Sequence, residues 1–149
     1  AQPLGTNVVF TGDIEYAENV TQGYDIATCV SLPGNEGIPN SILEAMAAAK
    51  PVVATEVDNV PEVVEHDKNG LLVESDNKEQ LVNALKCLIE NPGMRNEMGQ
   101  RGRAKAESDF NLDKQAVKYS SLYRQLLSDK LSKRSQEPLW RRWIPWRRK

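Results

Sequence analysis

The stretch Glu36-Gly37-Ile38-Pro39-Asn40-Ser41-Ile42-Leu43-Glu44-Ala45-Met46-Ala47-Ala48-Ala49-Lys50 joins two apolar runs through a polar loop and a helix. The run before it covers residues 25–31, and the run after it covers residues 51–55. Residues 41–49 space their large apolar side chains three and four apart, which predicts a helix with one buried face. Because Pro51 cannot continue that helix, the segment predicts a strand–loop–helix–strand unit.

The same alternation extends on both sides of this unit. Further strands are predicted at residues 7–10 and 71–73, with helical segments at 15–23 and 61–65. Strands that read as continuous apolar runs between helices are typical of a parallel sheet covered on both faces. The predicted fold class is therefore α/β, a partial Rossmann-like parallel sheet with flanking helices. Such a sheet usually has more strands, so we expect further sheet-forming sequence upstream of residue 1.

The last part of the chain is predicted to be helical. Asp76 or Asn77 is suited to cap a first helix, which the residues around Pro92 end. A second helix is predicted from about residue 94 to 108, and Asn111 is suited to cap a third. We interpret an apolar stripe on that third helix as core or domain interface; it comprises Leu112, Ala116, Tyr119, Tyr123 and Leu126.

Bulk composition is that of one soluble globular domain. The 149 residues are 40% hydrophobic and 27% charged, and no run reaches the roughly 20 apolar residues that cross a bilayer. Cys29 and Cys87 are too few for a disulfide framework, so we expect reduced, buried thiols and a cytoplasmic location. No Cys/His cluster has metal-ligand spacing, and no phosphate-binding glycine motif of the dinucleotide or ATP type occurs.

Charge divides the chain into an acidic body and a basic tail. Residues 130–149 carry eight Lys/Arg and one Glu, whereas residues 1–129 carry eleven Lys/Arg and twenty Asp/Glu. An acidic body argues against broad nucleic-acid binding, which needs a basic face. We predict a domain over residues 1–131 and a separate basic, Trp-rich tail over residues 132–149.

The tail interleaves three tryptophans with five basic residues between Leu139 and Lys149. Tryptophan prefers the bilayer interface, and Lys/Arg are attracted to anionic lipid surfaces. We favour contact of residues 138–149 with an anionic membrane surface on the cytoplasmic face. A solvated tail, or binding to protein or nucleic acid, are the alternatives.

The two carboxylates of the opening stretch flank the start of the predicted helix. Free backbone N–H groups at a helix N-terminus form an anion site, and Gly34 and Gly37 would let a phosphate approach closely. From one turn inside the helix, Glu44 could accept hydrogen bonds from ribose hydroxyls, and Glu36 from hydroxyls beyond the phosphates. This order suits a nucleotide sugar. From the spacing alone, it is equally consistent that Glu44 is a solvated helix residue and Glu36 an ordinary loop residue with no ligand.

An ordered series of blocks resembles the C-terminal, donor-binding portion of GT-B retaining glycosyltransferases of the family-4 type, the glycosyl transferases group 1. The series covers about residues 4–127. Its blocks are residues 9–12, 24–26, 36–55, 60–64 and 69–73, followed by Asn91-Pro92, Arg95, Met98-Gly99, Gly102-Arg103 and Phe110. The resemblance implies that the function is binding of a nucleotide-sugar donor for sugar transfer to an acceptor, possible acceptors including lipid-linked or cell-envelope glycans.

The resemblance also implies roles for individual residues. Glu36 would be the catalytic residue and contact the donor sugar, and Glu44 would contact the ribose. The donor-binding residues it implies are Glu36, Gly37, Ile38, Pro39, Asn40 and Glu44, with Gly12, Ile14 and Tyr16 near the base. The donor is a substrate, no cofactor or metal is expected, and retention of configuration would need no obligatory protein nucleophile.

The sequence departs from the family pattern in two respects. Asp58-Asn59 stands where Gly-Gly is usual; Asn59 could keep the left-handed turn, but Asp58 would add negative charge near the phosphate site. The family's basic pair for the diphosphate and its acceptor-binding N-terminal domain would both precede residue 1. We therefore expect residues 1–149 alone to be catalytically inactive or nearly so. The alternative function is a non-catalytic remnant or interaction module.

Overall fold

The computed structural model describes residues 8–12, 14, 20–34 and 37–136, with the backbone alone for residues 131–136. The chain divides into two units, Ala1–Ser108 and Asp109–Lys149. The sheet and most helices belong to the first unit. The domain boundary that we predict between residues 131 and 132 stays a prediction.

The first unit contains a parallel three-stranded sheet. Its strands are β1 (Ala27–Cys29), β2 (Val52–Thr55) and β3 (Gly70–Val73), in the order β1-β2-β3. Helix α1 (Asn40–Ala47) connects β1 to β2, and the short α2 (Val60–Val63) connects β2 to β3. Helices α3 (Lys78–Glu90) and α4 (Pro92–Asp109) follow the sheet. The predicted α/β class with flanking helices is confirmed.

Central strand β2 explains why the sheet is parallel and covered. Val52, Val53 and Ala54 are completely buried, and Thr55 is 2% exposed, so neither face of this strand meets water. Parallel strands need crossover connections, and helices in those connections cover both faces of the sheet. Residues 52–55 are apolar without alternation because both faces of this strand are covered by other parts of the fold.

The core on one face of the sheet is built from β2, β3, α3 and α4. Its buried members are Val53, Leu71, Val73, Leu88 and Met98. Partly buried side chains packed against them are Ile26, Leu81, Ala84, Leu85 and Met94. The Asn77 side chain accepts a 3.0 Å hydrogen bond from the Gln80 N–H and so caps α3, as predicted.

Helix α4 crosses the end of α1 at two glycines. A Cβ on Gly99 would overlap the carbonyl oxygen of Ala49 and lie 2.7 Å from its carbonyl carbon. A Cβ on Gly102 would lie 3.4 Å from the Met46 side chain. The backbones therefore approach most closely at Gly99, just after α1, where Ala49 takes the left-handed φ of +56°.

An ion-pair network fastens α4 to the segment after α2. Lys105 donates hydrogen bonds to the Glu62 carbonyl at 3.0 Å and to the Glu65 carboxylate at 2.7 Å. Lys68 reaches the other carboxylate oxygen of Glu65 at 2.7 Å. The bonds from Lys105 first, and from Lys68 second, lower the pKa of Glu65 to about 2. Glu65 therefore stays ionised well into acid.

The predicted strand at residues 7–10 is wrong for its described part. Residues 8–10 form no strand, and their side chains are exposed, Phe10 by 84%. A strand needs a neighbouring strand to pair with, and none of the described strands pairs with residues 8–10. Of the predicted helix at 15–23, residues 15–19 lie outside the described residues, and 20–21 are helical.

The second unit, in its described part, is the single helix α5 (Leu112–Gln136). Asn111 caps it by accepting a 3.1 Å hydrogen bond from the Lys114 N–H, as predicted. Tyr119 and Tyr123 are exposed by 57% and 63%, so they are not core residues, and the other interpretation, a domain interface, stays a prediction. An apolar stripe identifies a face of a helix without identifying what covers that face.

Candidate functional site

The N-terminus of α1 is the place where the sequence predicts an anion site. Pro39 is its N-cap and makes no side-chain cap hydrogen bond, and the first turn contains no acidic residue. Proline at this position offers neither a side-chain acceptor nor a backbone donor. The positive end of the helix dipole and the N–H groups of Asn40 and Ser41 therefore have no capping carboxylate from the helix itself. Such an end suits a phosphate.

The loop that leads into α1 leaves room for a ligand. An ideal Cβ on Gly37 would find no atom within 4 Å, so the space beside its backbone is open. Pro39 has φ −63° and ψ 127°, the extended conformation in which a chain enters a helix. The structure places Gly37, Ile38, Pro39 and Asn40 at the start of α1, and their role in binding a donor stays a prediction.

Glu44 is exposed one turn into α1. Its negative charge acts on Tyr24, whose pKa is raised first by burial and second by Glu44. Tyr24 therefore lies close enough to Glu44 for a direct electrostatic effect. Sequence reasoning missed this neighbour, because Tyr24 stands ahead of β1 and no spacing rule links it to a helix twenty residues later.

A pocket of about 340 Å³ extends along β1 and reaches the start of α1. Tyr24 and Thr28 line it from the β1 segment, and Ser41 lines it from the first turn of the helix. Its polar lining consists of hydroxyl and thiol groups, with Cys29 half-buried. Among the described residues, no charged side chain lines this pocket, so the space next to the helix N-terminus can hold a polar ligand through hydroxyl groups.

Two side chains of the β2 segment hold the chain that leaves β1. The buried Thr55 hydroxyl donates to the Ser31 carbonyl at 2.9 Å and accepts from the Ser31 N–H at 2.9 Å. Farther along, both carboxylate oxygens of Asp58 accept from the Gly34 N–H, at 3.0 and 2.9 Å. The loop between β1 and α1 is therefore tied to the carboxyl end of β2 at two points.

This geometry corrects the expectation for residues 58 and 59. Asp58 adopts the left-handed conformation, with φ +47°, whereas Asn59 has φ −95°. The turn survives because aspartate, like asparagine, tolerates left-handed angles better than most residues do. Its charge is also engaged locally by the Gly34 N–H, which the expectation of a bare negative charge near the phosphate site did not include.

The other predicted site residues have different outcomes. Glu36 and Tyr16 lie outside the described residues, so their roles stay predictions. Gly12 has the left-handed φ of +62°, and Ile14 is 39% exposed. Within the described chain, no hydrogen bond joins Gly12 or Ile14 to α1, so their proximity to the base also stays a prediction.

A larger cavity, about 600 Å³, lies beside β3 and contains none of the predicted site residues. His66 lines it, and its Nδ1 accepts the outward-facing N–H of Leu72 at 3.0 Å. On the same edge, Gln80 accepts the Glu74 N–H at 2.8 Å. These side chains cover the open edge of β3, which is a means of blocking strand pairing.

Two general properties concern the described residues only. No group of three or more His, Cys, Asp or Glu side chains there is arranged to hold a metal ion. No helix in the described ranges is both long enough and apolar enough to cross a membrane.

Comparison with known proteins gives a consistent family relationship. The family described as glycosyl transferases group 1 matches residues 1–105. An uncharacterized glycosyltransferase of Methanocaldococcus jannaschii is 29% identical over 127 residues, which are 84% of this chain and 32% of that protein. The chain thus spans about a third of the length of this relative.

Solved structures give the same relationship at the level of the fold. Sucrose-phosphate synthase of Thermosynechococcus elongatus superposes with a TM-score of 0.77 and 30% identity, over 85% of this chain and 32% of that one. Anabaena HepE, in a complex with UDP and glucose, superposes with a TM-score of 0.73 and 27% identity. That match covers 85% of this chain and 33% of HepE.

Proposed function

Because the chain belongs to the glycosyl transferases group 1 family, we propose that it binds the nucleotide-sugar donor of a retaining glycosyltransferase. The observation that carries this proposal is the N-terminus of α1, where the N-cap residue Pro39 makes no side-chain cap hydrogen bond, with the exposed Glu44 one turn beyond it. That a relative, HepE, has been obtained with UDP and with UDP-glucose supports the class of ligand.

The proposed binding mode follows the order of groups along the helix. The diphosphate accepts hydrogen bonds from the backbone N–H groups of Gly37, Ile38 and Asn40. Pro39, between them, has no N–H to donate. The ribose lies beside Glu44, whose two carboxylate oxygens can accept hydrogen bonds from adjacent hydroxyls. The donor sugar lies toward Glu36. In this mode the helix end binds the departing diphosphate by dipole and hydrogen bonds, so no metal is required.

We propose that sugar transfer requires further protein parts in addition to residues 1–149. The chain spans about a third of its relatives, and no Lys or Arg occurs between residues 25 and 49 to supply the basic pair expected for the diphosphate. We propose that an acceptor-binding domain and that pair come from outside residues 1–149, so this chain alone transfers no sugar. Turnover of a nucleotide sugar by the purified chain, at a rate comparable to that of full-length relatives, contradicts this part.

The lack of basic residues between 25 and 49 also favours a second candidate, a module that keeps the fold without binding a donor. Calorimetry with UDP-, GDP- and ADP-sugars separates the two. A donor domain binds one of them, and Glu44→Gln weakens that binding about tenfold or more, because hydrogen bonds to charged groups contribute about 1.5–3 kcal/mol. Glu90→Gln, a matched change on α3, leaves affinity unchanged.

Failure of all three nucleotide sugars to bind at about 1 mM, a concentration that detects even weak ligands, supports the non-binding module. Equal weakening by Glu44→Gln and Glu90→Gln contradicts the assignment of the ribose to Glu44 while leaving nucleotide binding in place. The two outcomes therefore separate the function from the position of the site.

Membrane contact is a further part of the proposal and concerns residues 138–149, which lie outside the described residues. Vesicles containing anionic lipid should retain the intact chain and release it at high salt, because the attraction between basic residues and lipid is screened. Deletion of residues 138–149 should abolish binding. Equal retention of the intact and deleted chains contradicts the proposal, as does retention by neutral vesicles alone.

A further inference from the structure

Two N–H groups along the outer edge of β3 are covered by side chains. The other edge of this strand pairs with β2, and no described strand lies beside the outer edge. There the Leu72 N–H donates to Nδ1 of His66 at 3.0 Å, and the Glu74 N–H donates to the amide oxygen of Gln80 at 2.8 Å. The two acceptors differ chemically, because an imidazole titrates near neutral pH and an amide does not.

The contact between His66 and Leu72 requires a neutral ring. A ring nitrogen accepts a hydrogen bond only when it carries no hydrogen, so the proton of neutral His66 must be on Nε2. That nitrogen lies 3.4 Å from the Asp67 carboxylate. Protonation of the ring places a second hydrogen on Nδ1, where it would point at the Leu72 N–H. Because two donors cannot bond to each other, this contact must break, while the Asp67 carboxylate stays a partner for the charged ring.

The surroundings of His66 make its protonation a separate event. His66 is the single histidine of the 149 residues, and its side chain is 54% exposed, so protons reach it from water. The next cavity is lined by two carboxylates that follow β2 and β3, Glu56 and Glu74, and by two uncharged side chains of α3, Gln80 and Asn83. On the chain before His66, hydrogen bonds first from Lys105 and then from Lys68 lower the pKa of Glu65 to about 2, far below the titration of an imidazole.

We propose that the hydrogen bond from the Leu72 N–H to Nδ1 of His66 is a pH-sensitive lock on the outer edge of β3. A neutral ring closes the lock and covers the Leu72 N–H. A proton taken up from water at Nδ1 opens the lock and leaves this donor exposed. Exposed donors on an edge strand are places where another extended chain can pair, so the lock controls whether this part of the edge is available. The inference does not depend on donor binding at α1.

Two variants separate the acceptor from its titration. His66→Asn keeps an acceptor on the same short side chain, an amide oxygen in place of Nδ1, and this oxygen does not titrate near neutral pH. His66→Ala removes the acceptor. Because the side chain of His66 is exposed, neither change opens a cavity in the core. The Glu74 N–H is the internal control, since Gln80 covers it on the same edge through an amide oxygen.

Two readouts are measured by NMR on the full chain between about pH 5 and 8. The first is the protection of the Leu72 amide from solvent exchange, taken relative to an unstructured peptide at the same pH. The second is the titration and tautomer of His66, from the chemical shifts of its ring nitrogens. As the ring is protonated, protection at Leu72 should fall about three- to tenfold, since one hydrogen bond is lost, and protection at Glu74 should not change. His66→Asn should stay protected throughout, and His66→Ala should be unprotected throughout.

The midpoint of the Leu72 transition should coincide with that of the His66 ring. Constant protection at Leu72 while His66 titrates overturns the proposal, and so does a hydrogen on Nδ1 of the neutral ring. An equal fall in His66→Asn would assign the transition to another group and overturns it as well. A fall that Leu72 and Glu74 share would be general loosening of the strand, which also overturns the lock. Nucleotide titrations at the start of α1 decide the proposed function separately, so either can fail alone.

Discussion

Replacement of Gly99 by alanine should destabilise the protein, although alanine is the better helix former. In an open helix the change would stabilise by about 0.8–1.0 kcal/mol. Here the new Cβ would overlap the Ala49 carbonyl oxygen, and a backbone atom cannot rotate away as a side chain can. Overpacking of this kind costs about 1–3 kcal/mol or more. A clash with a backbone atom belongs at the upper end of that range, about 2–3 kcal/mol, so after the helix-propensity gain of about 1 kcal/mol the net loss should be about 1–2 kcal/mol.

Gly102→Ala is the matched control on the same face of α4. Its Cβ would meet the Met46 side chain at 3.4 Å, and methionine adapts readily to a new neighbour. Stability should then stay within about 1 kcal/mol of the wild-type value. Urea unfolding followed by far-ultraviolet circular dichroism, with the slope compared between variants, measures both changes. A Gly99→Ala protein at least as stable as the wild type refutes the packing of α4 against Ala49.

Three further predictions concern polar contacts. Thr55→Val should lower the unfolding free energy by about 1–2 kcal/mol, because two partly buried hydrogen bonds between Thr55 and the Ser31 backbone are lost; urea unfolding of Thr55→Ser, which keeps the hydroxyl, is the comparison. The pKa of Glu65, about 2 in the folded protein, lies below its unfolded value, so its contribution to stability is present above about pH 4.5 and is lost as pH falls toward 2. Lys105→Met should therefore reduce the loss in urea midpoint between pH 5 and pH 2.5, and an unchanged pH profile contradicts the role of this ion pair. Asn77→Ala should cost about 1 kcal/mol through loss of the α3 cap, and amide exchange in the first turn of α3 should rise; equal exchange in both proteins contradicts the cap.

The parts of the fold that the sequence predicts well are governed by local rules. The strand at residues 52–55 is confirmed, because a short apolar run between a proline and a polar turn is too short for a helix and too apolar for a loop. Asn77 and Asn111 are confirmed as caps because capping depends on residues three positions apart. The family assignment is also confirmed, since an ordered series of short blocks is far more specific than any one block.

The parts that fail depend on partners that a local pattern does not contain. Residues 8–10 are apolar enough for a strand, but a strand also needs a neighbouring edge. The tyrosines of α5 mark a face, and the face remains exposed. Asp58 contacts Gly34 across 24 positions of sequence, and Tyr24 affects Glu44 across 20, distances at which no periodicity rule applies.

Binding of a nucleoside diphosphate at the start of α1 is tested most directly by an NMR titration of the isotope-labelled chain with UDP, GDP and ADP. The predicted result is that one of them shifts the backbone amides of Gly37, Ile38, Asn40 and Ser41 most strongly, and that Glu44→Gln weakens the response. Shifts concentrated around His66 and Gln80 would place the ligand in the larger cavity beside β3 and contradict the account. The absence of any shift with all three nucleotides would contradict it as well.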